Sequence, residues 1–253
     1  MTERRIWWLL GACGAALALA CGQGTGAARD TVDAGSAAAN PADCGDLPDA
    51  DALARLLRTA PDSGEAGGLF HGRAEWGAIV NRAGHVCVVV APSDSVGGYW
   101  PGSRNISMAK AYTANGFSTD TLAFSTARLY TLTQPGHSLW GVAQPEPFDP
   151  ACLDPAHGPG TCGGAISFGG GVPLYRAGRI VGGLGISGDT PCADHEIAKR
   201  IRHLAGLDPT AGPVIDDIQY SKVDSASIYT HPLCPNTWRN GQYIGEEAVA
   251  SGY

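Results

Sequence analysis

Two short motifs in the second half of the sequence combine cysteine and histidine at spacings that suit covalent or metal chemistry. The first is Cys192-x2-His195, and the second is His231-x2-Cys234. Thiolates and imidazoles are the usual ligands of tetrahedral zinc, so these four residues could close a zinc site. A Cys192–Cys234 disulfide that ties the end of the chain to an earlier segment is the simpler interpretation. The sequence leaves both open, and the identity of any metal is unknown.

The remaining cysteines also suit a disulfide framework. Six of the eight cysteines lie beyond residue 43, an even number, which indicates disulfides if the compartment is oxidising. Cys152 and Cys162 flank a loop rich in proline and glycine and are the best candidates for a local bridge. Cys87 lies inside an apolar run at 86–90, so a buried free thiol is the alternative there.

The polar residues do not indicate a conventional hydrolase. Ser187 ends an apolar strand pattern and does not sit on the strand-to-helix turn that exposes a nucleophile. No paired carboxylates or base–nucleophile spacing stand out, so no catalytic residue is assigned. A net charge of −7 disfavours nucleic acid as a partner, because such proteins present a basic face. We therefore expect a binding protein more than an enzyme.

The N-terminus has the pattern of an export signal. Arg4 and Arg5 precede an apolar run at 6–19, which is shorter than the roughly 20 residues of a membrane-spanning helix. The next residues, Ala18-Leu19-Ala20-Cys21-Gly22, resemble a bacterial lipobox, in which Cys21 would receive a diacylglycerol. Ordinary cleavage is the alternative, because Ala18 stands where the pattern prefers leucine. We expect an exported, membrane-anchored lipoprotein in the periplasm or at the cell surface.

The chain beyond this signal segment, 1–21, divides into three parts. Residues 22–43 are rich in Gly, Ala and Ser and nearly lack large apolar side chains, which predicts a disordered tether. About 210 residues remain, enough for one domain with a core. We divide them into a domain at 44–206 and a C-terminal extension at 207–253 that we expect to pack on it.

The apolar patterns predict an α+β fold. Helices are expected over 50–58, 104–117, 121–132 and 193–204. Strands are expected over 77–80, 85–90, 165–168, 172–175 and 180–187. Strands grouped in this way, joined by turns at Gly84 and Gly178, imply an antiparallel sheet with helices on one side.

Two stretches carry a family resemblance. Residues 100–115, WPGSRNISMAKAYTAN, and residues 169–188, with GGGVPL before GRIVGGLGISG, are similar to the two motifs of the GlcG/HbpS family. These are haem-binding-like domains related to the C-terminal part of PduO proteins. Asp194 matches the acidic residue that opens the family's last helix. The resemblance is clearest over 74–206, and the extension resembles the longer exported branch of the family.

The resemblance implies both a fold and a ligand. The fold is profilin-like, a five-stranded antiparallel sheet covered by helices, usually assembled into homo-oligomers. The ligand is haem or a similar tetrapyrrole, which needs an apolar slot, an axial donor and cations for its propionates. The residues expected to contact it are Arg104, Met108, Lys110, Thr113, Gly170, Gly171, Asp194 and His195.

Several of these assignments have ordinary structural alternatives. Arg104 and Lys110 would pair with propionates or are solvated surface charges. The axial donor stays open among Met108, Thr113, His195 and two further histidines, His137 and His231. Met108 also fits core packing, and His195 fits a surface position at the start of a helix.

We therefore interpret the chain as an exported binding protein for haem or a related tetrapyrrole. One alternative is an enzyme that acts on a small organic acid, or on haem itself, in the same groove with Asp194 or His195 as its titrating group. The other alternative is a structural lipoprotein without a ligand. The fold is compatible with all three, because one scaffold hosts unrelated functions.

Overall fold

A four-stranded antiparallel sheet organises the protein in a computed structural model that describes residues 43–93, 96–154, 156 and 160–248. Its strands are β1 (Trp76–Asn81), β2 (Val86–Val90), β3 (Gly171–Arg176) and β4 (Arg179–Ser187), in the order β2-β1-β4-β3. The α+β class and the antiparallel sheet predicted from the sequence are confirmed. The predicted number of five strands is wrong by one.

The missing strand is the segment 165–168, which does not join the sheet and is instead hydrogen-bonded to Thr113. The backbone N–H of Ile166 donates to the hydroxyl of Thr113 at 2.9 Å, so a side chain takes the donor that a strand neighbour would use. An apolar run of four residues between turns cannot reveal this from its pattern alone.

Both predicted hairpins are present, and each has the turn its sequence favours. Gly84 has φ of 80° between β1 and β2, and Gly178 has φ of 78° between β3 and β4. Ala177 precedes Gly178 with φ of 50°, so two successive residues lie in the left-handed region. Turns of this kind match the right-handed twist of paired strands.

Helices cover both faces of the sheet, so the expectation of helices on one side is wrong. Helices α1 (Ala50–Thr59) and α3 (Pro191–Leu204) pack on one face through Leu53, Leu57, Ile197 and Ile201. Helix α2 (Ser103–Gly116) packs on the other face through Met108 and Ala111. The reason lies in β1 and β4, whose alternate residues are apolar or glycine on both faces. Each fully buried Leu or Ile adds about 1.5–3 kcal/mol relative to exposure.

The helix predicted over 121–132 is also wrong. The structure has two short 3₁₀ turns there, Thr126–Leu129 and Thr131–Thr133. The hydroxyl of Ser125 donates to Asp216 O at 2.7 Å, and Thr126 Oγ1 accepts from Gly171 N at 2.8 Å. These side chains bond to distant backbone, and threonine-rich sequence has weak helix propensity.

The C-terminal extension adds two small sheets. Strands β5 (Gln219–Tyr220) and β6 (Thr230–His231) pair in parallel, and β7 (Thr237–Arg239) and β8 (Gln242–Gly245) pair antiparallel. Asp216 makes a bidentate ion pair with Arg202 of α3, with both N–O distances 2.7 Å. Neither side chain is exposed, so the pair links the extension to the interior of the domain.

Three disulfides are present among the described residues. Cys152–Cys162 and Cys192–Cys234 are the two that the sequence suggested. The third joins Cys44 to Cys87, so the alternative of a free thiol at Cys87 is wrong. The long bridges close loops of 43 and 42 residues and fix the start and the end of the described chain.

The predicted signal segment, Cys21 and almost all of the predicted tether lie outside the described residues. Within the described part of the chain, none of the helices combines the length and apolar character needed to cross a membrane.

Candidate functional site

Helix α2 lies in direct contact with the backbone of β4, because two glycines leave no side chain between them. A Cβ atom at Gly185 would stand 2.0 Å from Ser107 O, and one at Gly183 would stand 2.2 Å from Ala111 O. Only glycine permits so close an approach. The side chains on this face of α2 are therefore directed into the protein interior.

Lys110 is the residue most affected by this contact. Its Nζ donates to Asp194 Oδ2 at 2.6 Å and to Ile186 O at 2.9 Å, and neither side chain of the ion pair is more than 2% exposed. The ring of Phe168 lies 4.9 Å from the ammonium and covers it. Lys110 is thus not a solvated surface charge, so that alternative is wrong, and its ammonium is already paired with Asp194.

The glycine turn at 169–171 is held by three side chains. Gly169 N donates to His231 Nε2 at 3.3 Å, Gly170 N donates to His195 Nδ1 at 3.4 Å, and Gly171 N donates to Thr126 Oγ1. Gly170 has φ of 120°, and a Cβ there would approach Lys110 Nζ to 2.7 Å. The turn therefore closes over the Lys110–Asp194 pair.

His195 lies inside the protein, where its ring is 0% exposed, so the expectation of a surface residue at the start of α3 is wrong. The glycine turn leaves room for the imidazole, because a Cβ atom at Gly169 would stand 3.1 Å from the Cβ of His195. Asp194 lies beside it in the first turn of α3, where a carboxylate suits the helix dipole. Asp194 Oδ1 also accepts from Asp189 N at 2.9 Å.

Glu75 completes this group and was missed by the sequence analysis. It is 1% exposed, and neither carboxyl oxygen has a hydrogen-bond partner among the described residues. Its only sequence signal is a charge directly before the apolar run of β1. We call Glu75, Lys110, Asp194, His195 and His231 the buried polar centre.

Burial controls the protonation of this centre. Burial, with the nearby charges of Asp194 and Asp189, raises the pKa of Glu75 well above its usual range. Burial also raises the pKa of Asp194 to about 6, although the Lys110 ammonium opposes that shift. The same desolvation lowers the pKa of His195 well below its usual range and that of His231 to about 4. At neutral pH the centre therefore combines the Lys110–Asp194 ion pair with neutral imidazoles, and burial disfavours the ionised form of Glu75.

A second feature is an apolar groove on the outer side of α2. It has a volume of about 300 Å³, in the lower range of small-molecule pockets. We call it the α2 groove, and it is lined by Asn105, Ile106, Ala109, Ala143, Glu146, Phe148, Gly164, Ala165 and Ile166. A depression of about 420 Å³ beside α1 is larger, but its lining includes the charged residues Asp46, Arg55 and Arg176.

The predicted ligand residues are divided between these two features. Lys110, Gly170, Gly171, Asp194 and His195 meet in or around the buried polar centre. Thr113 lies behind the α2 groove, where its hydroxyl donates to Ala109 O at 2.7 Å and accepts from Ile166 N. Arg104 is not among the lining residues of the groove, but its guanidinium donates to Asn105 Oδ1 of the lining at 3.2 Å and to Cys152 O at 3.1 Å.

The candidate axial donors do not line the α2 groove. Met108 is 2% exposed and packs in the core with Ala111, as the structural alternative predicted. His231 lies in the buried polar centre, and His137 lies on the surface. Among the described residues of the lining, only Glu146 and Asn105 have side-chain oxygens that could coordinate iron. Glu146 Oε2 already accepts a hydrogen bond from Tyr112 at 3.2 Å.

Two features define the architecture. A helix packs against glycines of a central strand of the antiparallel sheet, and a glycine turn closes over a buried lysine. A sequence profile described as haem degrading protein, HbpS-like, matches residues 72–202. The chain belongs to this HbpS-like family. No curated protein sequence matches it at a significant level.

Several solved structures are similar to part of this chain. A PduOC–haem complex is 25% identical, with a TM-score of 0.42, and the match covers 60% of this chain and 91% of that one. Protein ORFY of Klebsiella pneumoniae is 22% identical, with a TM-score of 0.43, covering 61% and 89%. HbpS is 21% identical, with a TM-score of 0.39, covering 61% and 86%.

Proposed function

We propose that this protein binds haem or a related tetrapyrrole in the α2 groove. The observation that carries the proposal is the groove itself, an apolar slot beside the helix whose sequence marks the family. Apolar walls from Ile106, Phe148 and Ala165 suit the flat, apolar face of a porphyrin. The family's description as haem degrading proteins supports a ligand of this class.

Arg104 would supply the charge for a propionate. The side chain is only partly buried, and its guanidinium donates to the groove residue Asn105 at 3.2 Å and to Cys152 O at 3.1 Å. A guanidinium recognises a carboxylate through two parallel hydrogen bonds. We leave Lys110 out of this proposal, because its ammonium is enclosed with Asp194.

The lining offers oxygen donors but neither histidine nor methionine for iron. Most of the binding energy is therefore expected to come from burial of the ring, and iron contributes little. Haemin and iron-free protoporphyrin should then bind with affinities within about tenfold of each other. Similar affinities for the two rings would distinguish binding in the α2 groove from binding at a site with an axial imidazole.

The test is a titration of both rings into the purified protein and two variants, followed by absorbance and tryptophan fluorescence. Ala165→Trp fills the groove and should weaken both rings at least about tenfold. Leu122→Trp, at a position that is 52% exposed and outside the groove, is the matched control. Equal affinity in the wild type and Ala165→Trp would exclude the groove. A strong preference for haemin over protoporphyrin would indicate that a histidine coordinates the iron at a site other than the α2 groove.

Haem turnover is tested in the same samples. Bleaching of the bound haem absorbance after addition of ascorbate in air would indicate degradation, and stable absorbance would indicate binding alone. Light scattering in the presence and absence of the ring tests the expected homo-oligomer.

We propose further that the protein acts outside the cytoplasm, attached to a membrane by a lipid on Cys21. The support is the signal pattern that precedes Cys21, followed by a segment suited to a tether. Labelling of producing cells with radioactive palmitate should mark the wild type but not Cys21→Ala. Equal labelling of both, or of neither, would exclude the anchor.

A further inference from the structure

The Cys192–Cys234 disulfide has a histidine beside it. Ligand atoms of Cys192, His231 and Cys234 all lie within 4.8 Å of one another, and all three residues are buried. Ligands at about 2.0–2.3 Å from a tetrahedral zinc ion are roughly 3.5 Å apart. Once the S–S bond is broken and the two sulfurs move apart, the three ligand atoms therefore need little further movement to surround an ion.

The hydrogen bonds of His231 indicate which of its ring nitrogens could bind a metal. Its Nδ1 lies 2.7 Å from Pro232 O, and because a carbonyl only accepts, Nδ1 must carry the proton. Nε2 is then the ring atom with a lone pair, and it accepts only a long bond of 3.3 Å from Gly169 N. A histidine ligand usually has its second nitrogen fixed by such a carbonyl. The Tyr130 ring, with its centroid 5.0 Å away, packs against the imidazole.

We propose that the reduced Cys192–Cys234 pair, together with His231 Nε2, forms a zinc site. The link between α3 and the C-terminal extension would then exist in two forms, a disulfide when oxidised and a zinc bridge when reduced. Two thiolates and one imidazole leave a fourth position for water.

The conversion balances with a thiol or phosphine as the reductant. Two electrons from the reductant break the S–S bond, and each sulfur takes a proton to become a thiol. Two thiol molecules supply both protons and leave as their own disulfide, whereas a phosphine takes up the oxygen of water, which supplies the protons, and leaves as a phosphine oxide. Zinc binding then releases both protons as the thiolates coordinate the ion. Reoxidation by a small-molecule disulfide, which takes up the two electrons and becomes two thiols, expels the ion, because a disulfide sulfur is a poor ligand compared with a thiolate.

Zinc binding also changes the glycine turn. His231 Nε2 cannot ligate an ion and accept from Gly169 N at the same time, so the Gly169 N–H would lose its partner. The neighbouring bond from Gly170 N to His195 Nδ1 does not involve the ligands. Faster amide hydrogen exchange at Gly169, without a matching change at Gly170, is therefore a specific sign of the zinc form.

The experiment uses the purified protein, reduced with a phosphine that is then removed, and Co²⁺ as a coloured substitute for zinc. We expect saturable thiolate-to-cobalt absorption at one ion per chain, displaced by Zn²⁺, and none in the oxidised protein. Cys192→Ser/Cys234→Ser should abolish it, and Cys152→Ser/Cys162→Ser, which removes the other buried bridge, should keep it.

His231→Gln keeps both cysteines and tests the third ligand. We expect a loss of affinity larger than the roughly 10- to 100-fold that follows removal of a group that only orients a ligand. His203→Gln, at a side chain that is 67% exposed, is the control and should bind normally. Unchanged affinity in His231→Gln, or cobalt absorption that persists without Cys192 and Cys234, would overturn the proposal. Loss of native circular dichroism in the reduced, metal-loaded protein would do the same.

Discussion

Lys110 and Asp194 form an ion pair that is sealed from solvent, with Nζ and Oδ2 2.6 Å apart and side-chain exposures of 0% and 2%. They belong to different helices on opposite faces of the sheet, and they meet at the end of β4, where Lys110 also donates to Ile186 O. The pair therefore connects the two helical layers past the end of a central strand of the sheet. Its removal should affect stability more than any surface pair.

Asp194→Asn tests this connection. A buried ammonium without its counter-ion should lower the free energy of unfolding by about 3–5 kcal/mol, measured by urea denaturation. Lys110→Met/Asp194→Leu removes both charges and should recover most of the loss. Asp62→Asn breaks the exposed Arg73–Asp62 pair and should cost less than about 1 kcal/mol. Equal losses in Asp194→Asn and Asp62→Asn would contradict the prediction.

Glu75→Gln should change how stability depends on pH. Because the folded-state pKa of Glu75 is raised, its carboxyl contributes stability that is fully present below the unfolded pKa, near 4.5, and is lost as pH rises toward the folded pKa. A neutral amide has no such loss. The variant should thus gain on the wild type as pH increases from about 4.5, in urea unfolding measured across that range. A pH-independent difference between the two proteins would show that Glu75 ionises normally.

The disulfides should differ in value according to the loops they close. Removing Cys44–Cys87, with a separation of 43 residues, should cost about 4 kcal/mol, and removing Cys152–Cys162, with a separation of 10, about 3 kcal/mol. Double serine variants in thermal and urea unfolding give the comparison. The reverse order would mean that contacts around the bridges, and not loop closure, decide their effect.

Gly185→Ala should push α2 away from the sheet. The new methyl group would stand 2.0 Å from Ser107 O, and relief of that clash should cost at least about 1–3 kcal/mol in unfolding free energy. Gly116→Ala, at the end of the same helix with no atom within 4 Å of the new methyl group, is the matched control. It should be neutral or slightly stabilising. If both variants unfold alike, α2 tolerates displacement.

The sequence predicted the elements whose residues pair locally and missed those governed by distant side chains. The helix at 50–58 and the two hairpins followed from leucine spacing and from glycines at turns. Segments 121–132 and 165–168 failed because Thr126 and Thr113 bond to backbone that is remote in sequence. Local propensity contains no trace of such partners.

The sequence selected several residues of the buried polar centre as ligand contacts, but it did not predict their burial. Lys110, Gly170, Asp194 and His195 were all selected, and the structure places them together. Their burial was missed, because it depends on glycines of β4 that admit α2 to the sheet. Glu75 was missed because an isolated carboxyl before a strand is usually a solvated charge. The α2 groove depends on Phe148 and 164–166, which the sequence treated as loop and strand.

The contact of α2 with Gly183 and Gly185 also makes the protein suitable for engineering. The helix is positioned by backbone atoms on its inner side, so residues on its outer side do not determine where it lies. Ile106 and Ala165, which both line the α2 groove, can therefore be randomised together while the framework stays constant. A small library at these two positions would select rings of different width without redesign of the core.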